Sequence, residues 1–144
     1  MKVVIQKCLE SKVTVSNKEI SKMDKGLMIL VGFDKKDTKD KIDYIVRKIT
    51  NLRIFEDEKN VMNKSIIDIQ GEILCISQFT LYADTTKGNR PSYTNAMKSD
   101  EAKILYDELC NKLNEIIPTK KGVFQAHMEV SLINDGPTTI IIEN

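Results

Sequence analysis

The stretch GLMILVGF, residues 26–33, is an unbroken apolar run. It is too short for a helix and offers no polar face to water, so it predicts a strand buried on both sides. A second run, Ile73 to Ile76, reads the same way and extends to Gln78. Working outward, Lys2 to Leu9 predicts a strand. Val13 and Val15 alternate with polar residues before the turn signal Ser16-Asn17-Lys18, which predicts a second strand and a hairpin. Arg53 to Phe55 is a short strand. Met128, Val130 and Leu132 alternate with Glu129, Ser131 and Ile133, and Thr138 to Ile142 closes the chain as a final strand.

Two segments carry helical periodicity. Asp37-Thr38 can cap a helix whose apolar stripe is Ile42, Ile45, Val46 and Ile49. Ser99-Asp100-Glu101 starts the other, with acids in the first turn, where the helix dipole favours them. Its stripe is Leu105, Leu109, Leu113 and Ile116, and Pro118 stops it. Strands, helix, strands, helix, strands is an α/β pattern: a mixed, largely antiparallel, curled sheet with two helices packed on one face. The 144 residues suit a single domain spanning 1–144.

Composition narrows the classes further. With 41% hydrophobic and 30% charged residues the chain reads as a globular domain, and a net charge of +1 excludes a strongly basic nucleic-acid coat. A local basic patch holding a few phosphates stays open. No apolar run approaches the roughly 18 residues of a membrane span, and MKVVIQKC turns polar too soon for a signal peptide. Cys8, Cys75 and Cys110 are widely spaced, without a CxxC pair. They read as free thiols in the core of a protein from a reducing compartment, hence a cytoplasmic one. With His127 the single histidine, no zinc-ligand spacing exists, and no Gly-rich phosphate loop is present. The expectation is no metal and no cofactor.

Three stretches could carry chemistry. In Ser77-Gln78-Phe79-Thr80-Leu81-Tyr82, an extended chain would put Gln78 and Thr80 on one face. Side by side, an amide and a hydroxyl can orient a polar substrate or stabilise an oxyanion. Pattern alone favours a plainer reading, a strand leaving the core with its polar residues in water. Ser77 or Thr80 as nucleophile would need a base. His127, with Asp84 or Asp135 to orient it, makes a triad conceivable on paper, but no G-x-S-x-G signature supports one. In Asn134 to Thr139, Asp135-Gly136 resembles a hairpin turn, but Pro137 has no N–H to close it. An irregular turn that presents carbonyl oxygens outward is therefore expected. The polar loop from Thr85 to Glu101 offers Lys87 and Arg90 to phosphate and Tyr93 to a base; a solvated loop is the simpler reading.

Taken together, Ser77-Gln78-Phe79-Thr80-Leu81, Arg90-Pro91-Ser92 and Asn134-Asp135-Gly136-Pro137 resemble the motifs of the D-aminoacyl-tRNA deacylases, also called D-tyrosyl-tRNA deacylases. Ile5-Gln6 and Val130-Ser131-Leu132 fit as well, and the resemblance runs along the whole chain. It implies a homodimer that hydrolyses the ester joining a D-amino acid to the 3′-terminal adenosine of tRNA, with glycyl-tRNA as a further substrate, in proofreading. It implies a site at the dimer interface, where a cis Gly136-Pro137 from one subunit holds the substrate ammonium with its carbonyls and rejects L side chains. It also implies that Ser77, Gln78, Phe79 and Thr80 line the pocket, with Met128 against the adenine. Thr80 is then either a nucleophile or, as favoured here, a positioning group while the 2′-hydroxyl assists water.

Two residues depart from the pattern: Thr138 stands where valine is usual, and Tyr93 where phenylalanine is. The competing expectations are a weakly catalytic or non-catalytic module that binds the tRNA 3′ end, and a small-ester or peptide hydrolase that uses Thr80.

Overall fold

A computed structural model describes residues 1–144. The strands are β1 (Lys2–Val15), β2 (Lys18–Met23), β3 (Gly26–Gly32), β4 (Phe55–Glu56), β5 (Met62–Lys64), β6 (Glu72–Ser77), β7 (Thr119–Lys121) and β8 (Glu129–Glu143). The helices are α1 (Asp40–Asn51) and α2 (Ser99–Asn114). The main sheet has the order β2-β1-β3-β6-β7, with β8 on the other edge of β1. β1 runs antiparallel to β2, β3 and β8, whereas β3–β6 and β6–β7 are parallel. The sheet is therefore more evenly mixed than the sequence predicts.

The expected break after Leu9 does not occur. β1 is one 14-residue strand, and Ser16 and Asn17, both at positive φ, turn it into β2. Across the short interruption at Asp24-Lys25, β2 and β3 keep one register against β1, from Ser11↔Met23 to Cys8↔Gly26. Ser21 Oγ donates to the Lys121 carbonyl at 2.6 Å, bringing β2 round to β7. The sheet is thus curled almost into a barrel.

Curling creates two apolar clusters. The larger lies between the sheet and the helices and holds Val3, Ile5, Leu27, Ile29 and Val31 against Ile42, Ile45, Ile49, Leu105 and Leu109. The smaller fills the concave face with Cys8, Val13, Met23, Met28, Leu74 and Ile76. β3 and β6 supply both clusters, which is why their sequences are apolar without alternation.

The α1 stripe is buried as read. Its cap is not: Lys39 precedes the helix without a side-chain cap. The Asp37 carboxylate is buried, accepting from the Asp34 N–H at 2.7 Å and from Lys41 Nζ at 2.9 Å. On α2 the buried face also includes Tyr106 and Cys110. Ile116 lies beyond the helix end and is exposed, and Ile117 takes the buried place.

Tyr106 Oη donates to the Cys75 carbonyl at 2.9 Å, tying α2 to β6. Burial pushes the phenol pKa well above its ordinary value. Tyr106→Phe should cost only about 1 kcal/mol, because the Gly122 N–H still donates to that carbonyl at 3.0 Å. Urea unfolding checks this as a shift in midpoint at unchanged slope. The three cysteines are free and buried. No helix is long and apolar enough to cross a membrane.

Candidate active site

A cleft of about 670 Å³ opens where β6 ends. Ser77 and Gln78 stand on one side of it and the start of α2, with Met97, Ser99 and Ala102, on another. The segment Phe124–Met128 and Val130 complete its wall, with Phe33 at the end of β3. The lining is mostly apolar with a few polar groups, which is the usual character of a small-molecule site.

The backbone after Ser77 is not extended. Gln78 N–H donates to the Val31 carbonyl at 2.7 Å, the last bond of the parallel ladder. Phe79–Tyr82 then form a single 3-10 turn. In that turn Leu81 N–H reaches the Gln78 carbonyl at 3.3 Å, and Ala83 N–H the Thr80 carbonyl at 3.0 Å. The N–H groups of Phe79 and Thr80 precede the first bond of the turn and are left unused by it. The expected pairing of Gln78 with Thr80 is met by a different geometry: Gln78 Nε2 donates to Thr80 Oγ1 at 2.5 Å.

Thr80 itself does not line the cleft; it meets it through the Gln78 amide. No carboxylate or imidazole of the chain accepts the Thr80 hydroxyl proton. His127 shares the cleft with Ser77 but makes no hydrogen bond to it, and neither Asp84 nor Asp135 lines the cleft. Asp84 instead accepts from the Thr86 N–H and hydroxyl, which hold its carboxyl below the usual carboxylate range. The paper triad is not assembled.

Phe79 and Met128 line the cleft. Phe79 is 55% exposed, and its ring meets that of Tyr93 edge-on at 5.0 Å between centroids. Tyr93 is 39% exposed, so its extra hydroxyl has room. Lys87 and Arg90 lie on the exposed loop beyond, unpaired and outside the lining.

Gly136 and Pro137 do not line this cleft. Nor do they form a turn: β8 runs straight through them, and they make a bulge opposite Lys7 where the register shifts from Gln6↔Thr139 to Cys8↔Asn134. The missing Pro137 N–H is harmless in a bulge, whose residues leave the ladder. Gly136 has φ +117, and its bond to Pro137 is cis.

The bulge has a mount that the sequence reading missed. Asn134 Nδ2 donates to the carbonyls of Lys7 (2.9 Å) and Thr138 (3.2 Å). The Lys7 side chain is 1% exposed, and its ammonium lies 2.8 Å from Glu56 and 3.5 Å from Asp135. That ammonium holds the Glu56 carboxyl below the usual carboxylate range. A lysine at an inward position of the apolar strand Val3–Cys8 was the available signal. No three His, Cys, Asp or Glu side chains gather as a metal site.

The fold and site define a small α/β domain with a substrate-sized cleft at the end of a parallel strand pair. The chain belongs to the D-Tyr-tRNA(Tyr) deacylase family, whose model matches residues 4–143. A curated relative from Azobacteroides pseudotrichonymphae genomovar. CFP2, named D-aminoacyl-tRNA deacylase, is 48% identical over 148 residues, covering 100% of this chain and 97% of that one. A solved structure described as a c-Myc DNA unwinding element binding protein is 40% identical, with a TM-score of 0.95 over 100% of this chain and 99% of the other. A second, described as a probable eukaryotic D-amino acid tRNA deacylase, is 17% identical with a TM-score of 0.84 over 98% and 97%, and shares the fold.

Proposed function

We propose that this chain hydrolyses the ester of D-aminoacyl-tRNA, releasing the D-amino acid and tRNA, as chiral proofreading in the cytoplasm. The observation that carries this reading is the Gln78–Thr80 hydrogen bond on a 3-10 turn at the polar side of the cleft, in a chain that matches the family from end to end. The cleft receives the aminoacylated 3′-terminal adenosine, with Met128 against the base. Water attacks the ester carbonyl, assisted by the adenosine 2′-hydroxyl. Negative charge develops on the carbonyl oxygen, where the free N–H groups of Phe79 and Thr80 meet it. Ser77 and Gln78 orient the substrate. No cofactor enters.

Thr80 acts by position. Its oxygen accepts from Gln78 and its proton has no acceptor on the chain, so nothing raises its nucleophilicity. Thr80→Ala should therefore keep kcat within about tenfold of the parent, a loss typical of one neutral hydrogen bond. Single-turnover release of D-tyrosine from D-tyrosyl-tRNA measures it. A loss of a thousandfold or more, in a variant that still melts normally, would restore the nucleophile reading and with it the small-ester hydrolase.

The chiral filter comes from a second copy. Gly136 and Pro137 stand outside the cleft of their own chain, exposed on an edge strand with Ile133 and Ile141 turned outward. In the homodimer each bulge enters the other chain's cleft and offers its carbonyls to the substrate ammonium. Main chain at that place clashes with any L side chain at Cα and tolerates every D one. Glycine, lacking Cβ, passes, so glycyl-tRNA is also cleaved. Equal release of D- and L-tyrosine from their tRNAs by the parent would refute the filter. Binding of tRNA without release of either would leave the 3′-end binding module.

A further inference from the structure

We propose that Lys35, Lys36 and Lys98 form the track that holds the phosphates of the tRNA strand entering the cleft; this rests on the deacylase reading above. Nine of the 22 lysines and arginines form ion pairs with carboxylates. Lys39 pairs with Glu108, Lys64 with Glu58, Lys103 and Lys121 with Asp107, Lys112 with Asp43, and Lys120 with Glu72. Lys35, Lys36 and Lys98 are exposed and have no carboxylate within ion-pair distance.

Their placement follows from the backbone. The turn after β3 is stitched to the segment leading into α2: Lys35 N–H donates to the Asn95 carbonyl at 3.2 Å, Met97 N–H to the Phe33 carbonyl at 2.9 Å, and Asp34 bridges to Ala96. Phe33, Ala96, Met97 and Ser99 all line the cleft. Lys98 stands between two lining residues, and Lys35 and Lys36 follow the lining residue Phe33 closely. Three free ammonium groups thus border one side of the mouth. None of the acids nearby pairs with them: Asp37 is buried with Lys41, and Asp34 Oδ1 receives the Lys36 backbone N–H. Asp100 and Glu101 sit in the first turn of α2, where the helix's positive end favours them. A strand whose last residue is in the cleft must leave through its mouth, and its phosphates make the stronger demand on cations. Lys87 and Arg90, further along the exposed loop, are secondary.

The test is binding of uncharged tRNA by fluorescence anisotropy against potassium chloride concentration, for the parent and for Lys35→Gln/Lys36→Gln/Lys98→Gln. Turnover of D-tyrosyl-tRNA and of D-tyrosyl-adenosine is measured alongside. Each phosphate contact on a single strand contributes about 0.7 to the slope of log K against log salt. The variant should lose about two from that slope and bind roughly tenfold more weakly at low salt. KM for D-tyrosyl-tRNA should rise with kcat held, and D-tyrosyl-adenosine should be unaffected. An unchanged slope with normal melting overturns the track while leaving the deacylase reading intact. A lost slope in a protein that never releases D-tyrosine upholds the track and removes the deacylase reading. Duplex DNA that binds as tightly as tRNA through the same three lysines overturns the assignment to a tRNA end.

Discussion

Gly136→Ala is expected to lower kcat/KM for D-tyrosyl-tRNA by about a hundredfold or more, a loss that a displacement of about 1 Å at a catalytic site can produce. At φ +117 a side chain is strained whatever the space, and the space is missing as well. A Cβ there would stand 2.9 Å from Thr138 Oγ1 and 3.2 Å from Thr138 N. Thr138 cannot withdraw freely, because its carbonyl is held by Asn134. The bulge must therefore turn, and with it the carbonyl groups assigned to the substrate ammonium. Stability should change less, by about 1–3 kcal/mol for one strained residue, because the bulge lies outside both apolar clusters. The decisive reading is the ratio of D to L release at fixed dimer content, measured by sedimentation. If that ratio and the rate on D-tyrosyl-tRNA match the parent, the chiral filter is elsewhere. If activity falls only as the dimer dissociates, Gly136 serves assembly and not discrimination.

What the sequence made legible follows from which forces act locally. The α1 stripe and the buried pair β3 and β6 could be read because burial alone selects those residues. β5 and β7 could not: Met62–Lys64 and Thr119–Lys121 hold no apolar run, and they are strands only because β4 and β6 present edges to them. The division of β1 into two strands was an error of alternation. Lys7 and Cys8 are buried in succession, then Leu9 and Glu10 are exposed, because the register against β8 shifts there. The same shift disguised the Gly136-Pro137 bulge as a turn. At the site, Ser77 and Gln78 stood out as polar side chains at the end of a core strand, although pattern alone favoured a strand leaving the core, and Phe79 and Met128 entered only through the family resemblance. The apolar wall from Phe33, Met97 and Ala102 was not legible, since it exists only after α2 docks. The three unpaired lysines beside the cleft, Lys35, Lys36 and Lys98, were hidden for a related reason: only the fold reveals which lysines have found a carboxylate.

Gly26→Ala should remove the site by removing the pairing that builds it. Gly26 begins β3, opposite Cys8 on one side and Glu72 on the other. A Cβ added there would fall 1.9 Å from the Glu72 carbonyl oxygen and 2.8 Å from its nitrogen. Both are backbone atoms, so no side chain can swing away. β3 and β6 would have to part at their first paired residues. Yet that ladder runs from Gly26↔Glu72 to Val31↔Ser77 and delivers the Gln78 N–H to the Val31 carbonyl. Overpacking of a core by side chains costs about 1–3 kcal/mol; with rigid backbone on the other side the cost should exceed about 3 kcal/mol. At about 2–4 °C per kcal/mol for a chain of this size, the melting temperature should fall by roughly 10 °C or the protein should not accumulate in folded form. Gly88→Ala is the matching control. Nothing lies within 4 Å of a Cβ at Gly88, so that variant carries only the strain of its positive φ and should melt within a few degrees of the parent. If Gly26→Ala melts like Gly88→Ala, β3 and β6 are not in the contact described, and the placement of Ser77 and Gln78 beside the cleft would have to be rebuilt.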